Sequence, residues 1–227
     1  MKKTPNFKPV LYRVEDKYAL SEVEFERLKS KFLSVLSVDS GEPYCISSLY
    51  FDDYKDTFLE DTINGQPIRE KYRVRIYNDS FKTIKLEHKM KKYSRIHKDS
   101  VKLEYTQLER LIAGETLTSD DALSNLFNCA VLTRCLKPKV IVTYKRTAFV
   151  YDKGNVRITF DEDLRASNDA LNFGNPQTPY DYPKNPFRVV EVKYDEFLPD
   201  FIANLLEHDN MWQSSNSKYR ICREIYL

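Results

Sequence analysis

The stretch Lys85-Leu86-Glu87-His88-Lys89 puts three charged side chains on one face of any strand it forms. Successive strand residues point to opposite faces, so Lys85, Glu87 and Lys89 share a side where a β-protein ordinarily keeps its core. The pattern returns as Arg13/Glu15/Lys17 and as Lys71/Arg73/Arg75 with Val74 and Ile76 opposite. It returns again as Arg157/Thr159/Asp161 with Val156, Ile158 and Phe160 opposite, and as Glu191/Lys193 flanked by Val190 and Val192. One such strand is an ordinary solvated face. Five of them predict a sheet closed around a wet, charged interior, and cations gathered that densely call for a polyanion between them.

At 227 residues and 41% hydrophobic, the chain is long enough for a good core and is read as one domain, 1–227. The formal net charge is only +2, so overall charge gives no ground for a nucleic-acid or membrane partner; the arrangement carries the information. Sixteen Tyr and thirteen Phe against five Gly favour an aromatic-packed β-rich structure over a Gly-loop nucleotide fold. Neither GxxxxGK[ST] nor GxGxxG occurs. Cys45, Cys129, Cys135 and Cys222 show no CxxC spacing, and reduced, mostly buried thiols are expected. His88, His97 and His208 are scattered, against a zinc site. Met1-Lys2-Lys3 leads into no apolar segment, and no run approaches the ~20 residues of a membrane span. A soluble, cytoplasmic protein is expected.

Ser21-Glu22-Val23-Glu24 has the form of a capping box before a helix carrying Phe25, Leu28, Phe32 and Leu36. Cys45 to Asp52 reads as a strand leading into a mobile acidic segment near Asn64-Gly65-Gln66-Pro67. Strands are expected at 71–78, 83–91 and 100–105, with a loop from Tyr93 to Asp99. A second capping box at Thr106-Gln107-Leu108-Glu109 opens a short helix closed by Gly114, and Ser119 starts a longer one. Strands follow at 139–151, 155–161 and 187–194, with an irregular Pro-rich loop at 168–186 and a helix from Pro199 to His208. Mostly antiparallel strands, inserted helices and a charged interior predict an α+β fold: a closed antiparallel β-barrel of about eight strands forming a tunnel.

Arg73 and Arg75, with Lys89, Lys102, Arg146, Arg157, Lys193 and Lys218 on other strands or ends, are candidate phosphate ligands. Arg offers a planar fork matched to phosphate oxygens and Lys a compact point charge. Glu15, Glu87, Asp161 and Glu191 each lie near a cation on the same face. Such hard oxygens suit Mg2+ or Mn2+, and equally serve as counter-charges. Ser214-Ser215-Asn216-Ser217-Lys218-Tyr219 reads by itself as a helix cap followed by a surface lysine.

Nine segments in order carry a resemblance: Tyr12 to Tyr18, Ser48 to Asp52, Lys71 to Tyr77, Lys85 to Lys89, Lys98 to Lys102, Val142 to Arg146, Val156 to Asp161, Val190 to Lys193, and Ser217 to Tyr219. From about Phe7 to Arg223 the chain resembles the catalytic domain of the vacuolar transporter chaperone (VTC) polyphosphate polymerases, within the wider triphosphate tunnel metalloenzymes. The resemblance implies a tunnel-shaped barrel binding ATP and inorganic polyphosphate or triphosphate, with Mn2+ or Mg2+. By matching position, Lys17, Arg73, Arg75, Lys89, Lys102, Arg146 and Lys218 are phosphate-binding and catalytic, and Glu191 is the metal ligand, with Glu87 and Asp161 as further candidates. Arg13, Arg157, Lys193 and Ser217 extend the substrate-binding set. The hydrolytic branch carries E-x-E-x-K on its first strand; Arg13-Val14-Glu15-Asp16-Lys17 has Arg in place of the first Glu, which favours a longer phosphate chain. Sensing domains and transmembrane helices of the eukaryotic assemblies have no counterpart in these residues. The implied reaction moves the ATP γ-phosphate onto a polyphosphate chain; a triphosphatase and a non-catalytic polyphosphate-binding module are the alternatives.

Overall fold

The structure, a computed structural model, describes residues 14–93, 95–185, 187–207, 212–213 and 217–227. Its strands are β1 (Val14–Ala19), β2 (Tyr44–Asp52), β3 (Ile68–Tyr77), β4 (Ser80–Lys92), β5 (Arg95–Leu103), β6 (Lys137–Tyr151), β7 (Val156–Ser167), β8 (Val189–Tyr194) and the two-residue β9 (Trp212–Gln213). All pair antiparallel in one sheet of order β5-β4-β3-β2-β6-β7-β8-β1-β9. The helices are α1 (Glu22–Val35), α2 (Thr57–Ile63), α3 (Tyr105–Ile112), α4 (Ala122–Arg134), α5 (Asp200–Leu206) and α6 (Lys218–Arg223).

Residues directly opposite on neighbouring strands point to the same face. Arg73 pairs with Tyr50 and Glu87, Arg75 with Ser48 and Lys85, and Lys71 with Lys89. On the other half, Arg146 pairs with Asp161, Thr159 with Glu191, Arg157 with Lys193, and Lys17 with Glu191. The ladder therefore gathers every alternating charge on one continuous face. The sheet curls around that face: Lys89 Nζ comes within 3.8 Å of Glu15 Oε1, although five strands separate β4 from β1.

The apolar positions point outward, and the helices cover them, so much of the core lies outside the curl. Helix α1 starts with Ser21 as N-cap in the expected capping box and lays Phe25, Leu28 and Phe32 on Phe149, Ile158, Phe160 and Val190. Burying those three side chains contributes about 1.5–3 kcal/mol each, more than helix propensity supplies. Leu108 and Leu111 of α3 and Phe127 of α4 cover Phe51, Tyr72, Val74 and Leu86 in the same way. Helix α6 differs. Its Tyr219 and Cys222 pack on Tyr50, Val140, Val142 and Tyr144, on the charged side of the sheet, and fill part of the curl with apolar material.

The closed barrel expected from the sequence is not formed: among the described residues no ladder joins β5 to β1 or β9. Strand β5 carries polar or charged groups on both faces, including Arg95, His97, Lys98 and Asp99, and most of it is exposed. A strand with little apolar surface stays at an edge, where charge also discourages pairing with another chain. This strand covers most of the 93–99 stretch expected as a loop; the actual turn is at Tyr93, which adopts φ 56. The helix after it begins two residues early, with Glu104 as N-cap and Gln107 completing the box, and α4 is capped by Asp121 rather than Ser119. Cys129 and Cys135 are exposed rather than buried, because both lie on the solvent side of the α4 end. Arg13, His208 and Ser214 to Asn216 lie outside the described residues.

Helix α2 replaces much of the mobile segment expected after β2. Asp52, the last residue of β2, and Asp53 just after it turn their carboxylates onto its open N–H groups. Asp52 accepts from the backbone of Phe58 and Leu59, both at 3.0 Å, and Asp53 from Thr57 at 3.0 Å. Tyr219 O–H donates to the same fully buried Asp52 at 2.5 Å, tying α6 to the strand end. Tyr219→Phe deletes that donor and leaves a buried carboxylate short of a partner, which costs about 1–3 kcal/mol. Urea unfolding of the two proteins checks this; equal midpoints would mean that the backbone N–H groups alone satisfy Asp52.

Candidate functional site

Three groups of buried carboxylates organise the inner face. Glu87, 2% exposed, stands opposite Arg73 on β3 and accepts from its Nε at 2.7 Å. Lys98 Nζ of β5 lies 2.5 Å from the other oxygen, while Arg75 Nη1 stands 3.7 Å from the oxygen that Arg73 holds. Burial alone would push this carboxyl up, but Arg73, Arg75 and Lys98 together hold it at about 2. Arg73 also donates to Tyr50 Oη at 2.8 Å and lies 5.7 Å over that ring. Arg75 Nε reaches Ser48 Oγ at 3.3 Å.

Asp161, fully buried, is the second. It takes both prongs of the Arg146 guanidinium, at 2.6 and 2.7 Å, and Lys218 Nζ at 2.6 Å. These cations outweigh burial and keep Asp161 below the usual carboxylate range. Ser217 caps α6, accepting from Arg220 N at 3.3 Å, and aims the next residue inward. Lys218 is therefore no surface lysine: its Nζ lies 4.6 Å over Tyr144 and 5.1 Å over Phe187. Lys71 donates to Ser217 Oγ at 2.8 Å and sits 5.4 Å over Tyr219, which stacks on Tyr50 at 4.9 Å. The α6 packing thus forms an aromatic floor beneath the cations.

Glu15 and Glu191 form the third. Lys17 bridges them, 2.9 Å from Glu15 and 3.3 Å from Glu191, and Lys193 bridges them again at 3.6 and 3.2 Å. Arg146 Nη2 stands 3.9 Å from Glu191 and links this group to the second. Burial opposes the charge on Glu191, but Lys193, the Glu15 contact and Lys17 hold it well below its ordinary value, so it is ionised at neutral pH.

The cations still outnumber their partners. Burial, then Lys89, Arg69, Lys17 and Arg73, bring Lys71 down to about 7, with no carboxylate opposing them. Burial brings Lys89 to about 8, with Glu15 opposing and Lys17 and Lys193 adding to the fall. Lys17 goes the other way: burial lowers it, but Glu191 and Glu15 raise it to about 12. The inner face is therefore under-neutralised around Lys71 and Lys89.

Lys17, Arg73, Arg75, Lys89, Arg146, Lys193, Ser217, Lys218, Glu87, Asp161 and Glu191 are thus gathered on one concave surface. Arg157 is at its rim, ion-paired to Asp39 at 2.9 Å. Lys102 shares the face by register with Lys85 but is exposed toward the β5 edge. Lys98, two inward positions earlier, makes the contact with Glu87; it was hidden by reading 93–99 as a loop. Lys71 belongs to the same alternation as Arg73 and Arg75, so the period alone was enough to find it. Tyr50, Tyr144 and Tyr219 were missed because only the inward docking of α6 brings them beneath the cations.

For a divalent ion the three groups are not equivalent. Cations stand on both oxygens of Glu87 and Asp161 and also of Glu15 and Glu191, so what distinguishes the third group is its pairing of two acids. Glu15 and Glu191 place two carboxylates together, and among the described residues no third carboxylate, His or Cys joins them. One or two carboxylates completed by phosphate oxygens and water is the usual Mg2+ arrangement, and this pair fits it.

Among solved structures, the fold is similar to a Bacillus halodurans protein described as a candidate adenylate cyclase, with TM-score 0.54, 14% identity, 80% of this chain and 79% of that chain covered. A conserved hypothetical protein of Pyrococcus furiosus (TM-score 0.46, 11% identity, 88% and 95% covered) and a Pyrococcus horikoshii protein (0.46, 12%, 88% and 94%) also match. At these identities the first likeness speaks to the fold alone. None of the curated proteins matches the chain. No helix among the described residues is long and apolar enough to cross a membrane. Residues 12–227 match the VTC domain, and the chain belongs to the VTC domain family.

Proposed function

We propose that the protein is a polyphosphate polymerase-type phosphotransferase, moving the γ-phosphoryl group of ATP onto the end of a phosphate chain held in the curl. The observation that carries this is the under-neutralised inner face around Lys71 and Lys89, built at the cost of crowding like charges. Arg73, Arg75, Lys89 and Lys71 bind and align the phosphates from the β3–β4 side; Arg146, Lys17 and Lys218 face them from the other. Phosphoryl transfer demands little beyond alignment and charge neutralisation, which fixed cations supply. Glu191 with Glu15 is the pair that would hold Mn2+ or Mg2+; a bound ion there adds neutralisation of the transferring group and the leaving diphosphate.

The acids favour phosphate over water as acceptor. A water nucleophile needs a base of matched pKa beside it. Glu87 is held at about 2, and Asp161 and Glu191 are also pushed down and occupied by cations, which makes all three poor bases. A terminal phosphate brings its own ionised oxygen and needs none. Incubation with ATP and Mn2+, followed by sizing of the products, tests the assignment. Polyphosphate with ADP is the expected outcome; orthophosphate alone would make the protein a triphosphatase, and unconsumed ATP would leave only a binding module.

The metal assignment separates the carboxylates. Glu15→Gln and Glu191→Gln should each shift the Mn2+ dependence of turnover to concentrations more than about tenfold higher, because each removes a hard anionic ligand. Glu87→Gln should leave that midpoint in place and instead lower stability by on the order of 3 kcal/mol, since it unpairs buried cations. Superimposable Mn2+ curves for Glu191→Gln and the parent would remove Glu191 from the metal site.

A further inference from the structure

The two ends of the charged face differ. At one end Tyr44 opens β2 and Tyr77 closes β3, both half-buried on the inner side, with ring centroids 6.2 Å apart and planes tilted by 51°. Tyr44 is directly opposite Arg146 in the ladder, and its hydroxyl accepts from Arg157 Nη2 at 3.3 Å. Lys85 Nζ lies 5.8 Å over the Tyr77 ring. Tyr77, but not Tyr44, also lines an open depression of about 480 Å³ at the β3–β4 turn, with Asn78, Ser80, Lys82 and Thr83. At the far end of the same face the ladder sets Arg69 beside Lys91, cations alone.

We propose that the Tyr44–Tyr77 wedge is a nucleobase subsite, which orients a nucleoside triphosphate with its base at this mouth and its phosphates running inward past Arg146 to Glu191. The inference rests on the phosphotransferase reading and adds direction to it. Flat aromatic faces at the rim of a cationic groove hold bases by stacking, with the adjacent arginine and lysine holding the phosphates. The Tyr77 side of the wedge borders free volume large enough for a base and ribose, whereas the Tyr50–Tyr219 stack is closed beneath the cations. The Arg69–Lys91 end, where the ladder sets two cations side by side, takes the phosphate chain. Stacking reads a ring rather than its edge, so the subsite accepts purine nucleotides with little choice between them.

Titration calorimetry with ATP and with inorganic tripolyphosphate, on the parent and on Tyr77→Ala, tests the subsite. Loss of one stacking face should weaken ATP about tenfold and tripolyphosphate less than twofold, while Tyr77→Phe keeps ATP binding at the parent level. Equal weakening of both ligands, or of neither, overturns the subsite and leaves the phosphate reading standing. A parent that binds neither ligand overturns both. If Tyr77→Ala does not fold, saturation transfer from tyrosine ring protons to ATP on the parent decides: transfer to the adenine protons is expected, and its absence with ATP bound rejects the subsite.

Discussion

The structure depends on cations of one curled face being held together by carboxylates too few to neutralise them. Glu87 gathers Arg73, Arg75 and Lys98; Asp161 gathers Arg146 and Lys218; Glu15 and Glu191 share Lys17 and Lys193. Some of these contacts stay within one strand and most others join neighbours; the one from Lys89 of β4 to Glu15 of β1 spans the curl. Buried pairs of this kind add little net stability over apolar packing, and losing one partner is costly. Stability must come from elsewhere. It comes from the outer face, where α1, α3 and α4 bury the apolar half of every alternating strand.

That division of labour explains the inverted look of the sequence. An ordinary small barrel fills its interior with apolar side chains. Here the interior is reserved for charge, and helices inserted between strands provide the core on the outside. Helix α6 is the exception, and its placement shapes the charged face. By docking inward it lays Tyr219 against Tyr50, and it carries Ser217 and Lys218 to the cations from below. Asp52 makes this docking possible by receiving the Tyr219 hydroxyl at the point where β2 hands over to α2.

Much of this was legible in the residues because a strand period of two is a strong signal wherever one face is charged and the other apolar. Lys71/Arg73/Arg75 against Val74/Ile76, and Arg157/Asp161 against Ile158/Phe160, read correctly for that reason. Strand β5 did not, because its charges fall on both faces and give no contrast. Helix α2 is capped by Asp52 at the strand end and Asp53 just after it rather than by its N-cap residue, so no local capping signal marks it. In sequence each carboxylate is two or four residues from a cation, and Glu191 alone read more as a ligand than as a counter-charge. What separates the carboxylates is the strand order, which pairs β1 directly with β8 and so sets Glu15 beside Glu191.

If crowding is the central feature, a phosphate chain must relieve it. Lys71 at about 7 and Lys89 at about 8 are partly deprotonated near pH 7.5 in the free protein. A polyanion beside them favours their charged forms, so binding must take up protons, and affinity must fall as pH rises through 8. Calorimetric titration with long-chain polyphosphate, whose internal groups carry no proton at neutral pH, measures this directly when repeated in buffers of different ionisation enthalpy. The account predicts net proton uptake by the parent and clearly less by Lys71→Met, a difference that cancels any protons from the ligand. Identical uptake in both proteins, or none, would contradict it.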